Sequence, residues 1–171
     1  MEARRGIVRA YAQMKEWTVG ADPARLLLKE KDASTDDRAI AYFLLAKHAQ
    51  SSASWTEALE LYRAVLSTNK GVLSAEARYQ IAWTFVQLGK WSDAEQAAQE
   101  TIRRSGSYEP WVTKSYLLVG DVFFQQKDYF NAKATFQSVL DNSDDPVLQT
   151  EAREKLQQVT DAERKKNKMD S

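Results

Sequence analysis

Residues Ser115 to Pro146 read SYLLVGDVFFQQKDYFNAKATFQSVLDNSDDP. Tyr116, Val119, Gly120 and Phe123 recur at three- and four-residue intervals, which places them on one face of a helix. A second set follows in Tyr129, Ala132, Phe136, Val139 and Leu140. The same offsets return upstream in Trp55, Ala58, Tyr62, Val65 and Leu66, and again in Trp91, Ala94, Ala98, Thr101 and Ile102. Ala58, Ala94 and Ala132 stand at nearly equal intervals, and one slightly shorter interval back from Ala58 lies Ala24. Twelve residues before each of these sits another small residue: Ala12, Ala46, Ala82 and Gly120. Each is preceded by a large one, namely Tyr11, Leu45, Ile81 and Val119.

A repeat of this kind has a packing explanation. One small residue in each of two consecutive helices lets their backbones approach, and the large neighbours fill the space against the next pair. Glycine at 120 costs roughly 1 kcal/mol of helix propensity relative to alanine, which a closer helix contact can offset. No segment alternates apolar and polar residues for long enough to argue for a strand.

The periodicity predicts nine helices, near 2–18, 23–32, 36–51, 55–68, 72–88, 92–104, 109–126, 130–142 and 146–166. SWTE (Ser54 to Glu57) and SDAE (Ser92 to Glu95) fit capping boxes at helix starts. Asp22-Pro23 and Asp145-Pro146 place a capping acid before a proline suited to the first helical position. NKG at 69–71 and SGS at 105–107 read as helix ends.

The composition narrows the function. The 171 residues carry 24 basic and 24 acidic side chains, with 43% apolar residues, enough for a core. Nucleic-acid binders draw affinity from neutralising phosphates and show a basic excess, which this chain lacks outside ERKKNK at 163–168. There is no cysteine and His48 is the sole histidine, which argues against disulfides, thiolate or multi-histidine metal sites and a Ser-His-Asp enzyme. No apolar run approaches a membrane span, and the start of the chain has no signal-peptide core. It reads as the middle of a helical protein, with Met1 as an added start. The pairs Asp36-Asp37 and Asp144-Asp145 precede or open helices, where their charge favours the positive helix end. The expectation is therefore no catalytic residue, no cofactor and no metal.

The large–small pair in one helix and the alanine and aromatic in the next resemble the tetratricopeptide repeat, a helix-turn-helix unit of about 34 residues. The resemblance implies an all-α, right-handed superhelical solenoid of about four hairpins, a single domain over 1–171. Repeats fall near 5–34, 39–70, 75–108 and 113–146, with a capping helix at 146–166 or, alternatively, half of a further repeat there. The first unit is degenerate, because Lys31 and Asp32 stand where apolar residues belong. The chain is also similar to large multi-repeat proteins of Gram-negative bacteria, which implies part of a larger bacterial protein and a place in the periplasm or cell envelope.

Family members hold peptides or protein segments on the concave face lined by the first helix of each pair. Projection from the small anchors puts Arg9, Gln13, Glu16 and Trp17 there, then Ile40, Phe43, Lys47 and Gln50. Glu76, Tyr79, Trp83 and Gln87 follow, and then Lys114, Leu117, Asp121, Phe124 and Gln125. The asparagines of the family's carboxylate clamp are missing, so C-terminal carboxylate capture is not expected. Tyr79 and Trp83, four apart, make an aromatic patch beside Phe43 and Lys47, or else pack against the next hairpin. Phe43, Lys47, Tyr79, Trp83, Gln87, Lys114 and Asp121 are the candidate partner-binding residues. Trp55 and Trp91 read as packing residues. The function expected is a non-enzymatic scaffold binding a protein or peptide, and the alternative is an RNA-binding helical repeat of the pentatricopeptide kind.

Overall fold

The computed structural model describes residues 2–169, so the reading of Met1 lies outside the described residues. Among the described residues there are nine α-helices and no strand. They are α1 Glu2–Met14, α2 Trp17–Leu28, α3 Thr35–Ser51, α4 Trp55–Thr68, α5 Val72–Gln87, α6 Trp91–Arg104, α7 Glu109–Gln125, α8 Tyr129–Asn142 and α9 Pro146–Met169. The chain falls into two compact units, Met1–Leu88 and Gly89–Ser171, divided at the turn after α5.

In the first unit each helix packs on the next in chain order from α1 to α5. The first helices of successive pairs also touch, α1 against α3 and α3 against α5. The second unit repeats the scheme: α6 packs on α7, α7 on α8 and α8 on α9, with α9 also reaching α7. This is the neighbour-on-neighbour packing of a helical repeat.

The turns inside the pairs are built alike. Lys15, Ala53, Gly89 and Lys127 have φ of 58°, 55°, 67° and 61°, the left-handed conformation, and each lies two residues before the aromatic that opens the following helix. At Lys15, Ala53 and Lys127 the backbone closes as a Schellman motif. The N–H of Glu16, Ser54 and Asp128 donates to the carbonyls of Tyr11, Ala49 and Phe123 at 2.9, 2.8 and 2.9 Å. The N–H of Lys15, Ala53 and Lys127 donates three residues back in each case.

This geometry corrects both expected capping boxes. Ser54 does precede α4, but its side chain makes no capping bond, and its own N–H is already given to Ala49. Ser92 lies inside α6, which begins at Trp91 after Lys90. The side-chain caps occur elsewhere. Ser34 accepts from the N–H of Asp37 at 3.1 Å, and Asp128 from that of Asn131 at 3.1 Å. Asp145 accepts from Val147 and Leu148 at 2.8 and 3.3 Å, as DP at 145–146 predicted.

The same turn corrects the first pair. Asp22-Pro23 does not open a helix; Pro23 lies inside α2, which starts at Trp17. The opening aromatics are thus Trp17, Trp55, Trp91 and Tyr129, at nearly even spacing along the chain. Three residues on stands Gly20, in the place of Ala58, Ala94 and Ala132; Ala24, Leu27 and Leu28 then match Tyr62, Val65 and Leu66. Lys31 and Asp32 fall in the exposed connection beyond α2. The residue twelve before Gly20 is Val8, fully buried, rather than Ala12 before Ala24. Sizes are exchanged: valine replaces the small anchor of α1, and Ala24 replaces the large residue at the position of Tyr62 and Phe136.

Gly120 shows why the anchor is small. A Cβ there would lie 2.7 and 2.9 Å from two carbons of the fully buried Phe136 ring, too close for any real contact. Gly20 is under similar constraint: a Cβ there would lie 2.7 Å from a Leu44 methyl and 2.8 Å from the Tyr11 Cβ. The last helix is one-sided by comparison. It buries Leu148, Ala152 and Val159 as a single stripe, where α7 buries seven residues.

Two stability tests follow from these contacts. Gly120→Ala is expected to lower unfolding free energy by ~1–3 kcal/mol through overpacking against Phe136, measured by urea denaturation. Gly89→Ala should cost about 1 kcal/mol through left-handed strain, whereas Ala53→Gly and Lys127→Gly should be neutral or stabilising by up to about 1 kcal/mol. If Ala53→Gly destabilises like a mid-helix glycine, the turn geometry is wrong.

Candidate functional site

Alongside α1, α3 and α5 of the first unit runs a cleft of about 700 Å³. Arg9 and Gln13 line it from α1, Ile40, Phe43 and Lys47 from α3, and Leu73 and Glu76 from α5. Trp17 closes it from the first turn of α2, and Lys15 from the left-handed turn. Seven residues that helical projection assigned to the concave face therefore meet around one depression. Tyr79, Trp83 and Gln87 continue from Glu76 along α5 at helical intervals.

The floor is aromatic and apolar. Trp17 and Phe43 meet edge-on with centroids 6.4 Å apart, and Phe43 meets Tyr62 the same way at 5.9 Å. Phe43 is 6% exposed, so it is a supporting residue more than a free anchor. Tyr62 is fully buried, which pushes its phenol well above the usual range, with a further rise from Glu76. Its hydroxyl donates to Gln50 at 2.8 Å, and Gln50 donates to Gln80 at 2.9 Å, tying α4, α3 and α5 together.

The charged walls follow a rule that helical projection does not supply. Within each unit, the residue after a first-helix anchor is bonded to a later helix on the same side, as three of the anchors show. Arg9 after Val8 meets Asp37 at 2.7 Å, and Lys47 after Ala46 meets Glu76 at 3.1 Å. Asp121 after Gly120, in the second unit, holds Lys155 of α9 at 2.8 Å through both oxygens. Lys47 also lies over the Phe43 ring at 5.4 Å.

Asp37 does more than open α3. It is 2% exposed, accepts from Ser34 Oγ at 2.7 Å, and pairs with Arg5 at 3.3 Å as well as with Arg9. Burial pushes its carboxyl up, but the Ser34 hydrogen bonds and the Arg9 guanidinium together hold it below its ordinary 3.8. Asp121 goes the other way: burial outweighs Lys155 and raises it, with Glu151 adding to the rise.

Among the remaining candidates, Trp83 packs edge-on to Trp55 at 5.8 Å and is only partly buried, as is Tyr79. Gln87 is exposed. In the second unit Lys114 lies 4.6 Å over the Trp111 ring. Leu117 and Phe124 belong to the second-unit core with Phe136 and Leu148. Lys15, Ala12 and Leu73 line the cleft although projection does not place them there. Lys15 is hidden in the sequence because the periodicity puts it mid-helix; the spacing from Trp17 to Trp55 and Trp91 is the available signal. No group of three or more histidines, cysteines or carboxylates suited to a metal ion occurs among the described residues. No helix among them is long and apolar enough to cross a membrane.

Comparison with known proteins agrees with the helical-repeat fold. Two profiles described as tetratricopeptide repeat match residues 32–107 and 79–145. The chain belongs to the tetratricopeptide repeat family. Its fold is similar to the crystal structure of BtubC (BKLC) from P. vanneervenii, with a TM-score of 0.73 at 18% identity over 91% of this chain and 69% of that one. No curated protein matches the chain in sequence.

The opposed carboxylates make a pH test. Asp37, lowered, contributes stability that is present above 3.8 and lost as pH falls through its native value. Asp121, raised, contributes stability that is lost as pH rises from 3.8 through its native value. Asp37→Asn should cost ~1–3 kcal/mol at neutral pH, since it leaves Arg5 and Arg9 without their shared carboxylate. It should also flatten the acid limb of the melting-temperature profile, while Asp121→Asn should steepen it.

Proposed function

We propose that this chain is a non-enzymatic scaffold that holds a segment of a partner protein in the cleft along α1, α3 and α5. Tetratricopeptide repeats generally mediate protein–protein interaction, and the family is typically non-enzymatic. One observation carries the finer reading: residues projected onto the concave face from the repeat pattern alone line a single cleft with an aromatic floor and charged walls. Aromatic surfaces of this kind bury large area for little lost side-chain entropy. Ile40, Trp17 and Phe43 supply the apolar seat, Lys47 and Glu76 the polar rim, and Tyr79, Trp83 and Gln87 extend the binding surface along α5. Lys114 and Asp121 offer a comparable first-helix surface in the second unit.

A photo-crosslinking amino acid placed at exposed Gln13 or Gln87 should capture the same partner segment, identified by mass spectrometry. The same group at Thr56, exposed on α4, should not. Capture at Thr56 alone would place the partner on the second-helix side and overturn the reading. Tyr79→Ala combined with Trp83→Ala should weaken the captured complex by ~2 kcal/mol or more while the protein stays folded.

A further inference from the structure

We infer that the partner segment is acidic, carrying a bulky apolar side chain flanked by aspartate or glutamate. The inference rests on the cleft being the binding site. Three cations line it, Arg9, Lys15 and Lys47, against the one carboxylate of Glu76. Two of the cations are already answered: Arg9 by Asp37 and Lys47 by Glu76. Lys15 is not. No carboxylate among the described residues lies within ion-pair distance of its ammonium, not even that of its chain neighbour Glu16.

Its placement is fixed by backbone. Lys15 occupies the left-handed position of the first turn, a conformation that costs a residue with a side chain and favours glycine, as Gly89 illustrates in the equivalent turn. The strained turn therefore roots a lysine with no ion-pair partner at the edge of an apolar seat formed by Trp17, Ile40 and Phe43. An apolar side chain on that seat, with a carboxylate beside it in the same segment, satisfies both surfaces. A basic segment would meet the uncompensated Lys15 ammonium, and like charges brought together at an interface oppose binding.

The test uses the full chain and three short fluorescent peptides, each with one central leucine and flanks of glutamate, serine or lysine, read by anisotropy. A crosslinker at Gln13 reports whether each occupies the cleft. The glutamate peptide should bind most tightly, the lysine peptide not measurably, and raised salt should narrow the glutamate–serine difference. Lys15→Gly removes the ammonium while easing the turn, so it should fold with equal or higher melting temperature. It should reduce the glutamate peptide's advantage over serine by about fivefold, and Lys15→Glu should abolish it. Equal cleft binding by the glutamate and serine peptides overturns the charge inference and leaves the cleft standing as a site. Binding of the glutamate peptide without Gln13 crosslinking overturns the cleft and the inference together.

Discussion

Within the two units, the pairs α1–α2, α3–α4 and α7–α8 each reverse direction on one residue held at positive φ, and much else depends on that turn. The left-handed residue aims the chain so that an aromatic opens the second helix two positions later, and the Schellman bonds use up the N–H groups that a capping box would otherwise have satisfied. Once the aromatic is set, the small residue three positions on faces the first helix. In the fourth pair the approach is so close that the Gly120 Cα region rests on the Phe136 ring, and nothing larger than hydrogen fits. Three of the four turns pay for this with a residue other than glycine. Stabilisation from the packed anchors has to exceed the ~1–2 kcal/mol that left-handed geometry costs such residues.

Helix number, helix type and most boundaries are legible in the sequence because the apolar spacing repeats strongly in the segments around Ala58 and Ala132. The first pair misleads for a physical reason. Asp22-Pro23 has the chemistry of a helix start, but Pro23 is the seventh residue of α2, where it removes one intrahelical donor, and the helix persists on its buried face of Gly20, Ala21, Ala24 and Leu27. Alanine at 24 then matches the wrong anchor. In the structure Val8 and Ala24 exchange the sizes usual at their positions, so a search for small residues at fixed places cannot find them. A search for the aromatic at the turn finds Trp17 directly.

The concave face is legible as a set of residues but not as a set of interactions. Projection by helical angle places Arg9, Ile40, Phe43, Lys47 and Glu76 together, and they line one cleft. It does not show that Arg9 and Lys47 are each paired to the next first helix, since that depends on which carboxylates the turn geometry brings within ion-pair distance. Nor does it show Phe43 as buried support. The residues that hold neighbouring pairs in register and those left exposed are interleaved on one surface. Lys15 is distinguished from Arg9 and Lys47 by what it lacks, which only coordinates reveal.

Packing within each unit runs almost wholly between a helix and the next one or two along the chain. Loop closure before a contact forms is therefore short, and the entropy lost in bringing helices together is small compared with that of a fold whose termini must meet. Folding can begin at any well-formed pair and spread outward, with each added helix contributing its own interface. The pair holding Ala46, Ala58 and Tyr62 and the pair holding Gly120, Ala132 and Phe136 bury all of these anchors, one pair in each compact unit. α9 buries a single stripe and is otherwise held by ion pairs such as Lys155 with Asp121 and Lys133 with Glu163, so its exposed face can exchange amide protons without disturbing the pairs beneath it.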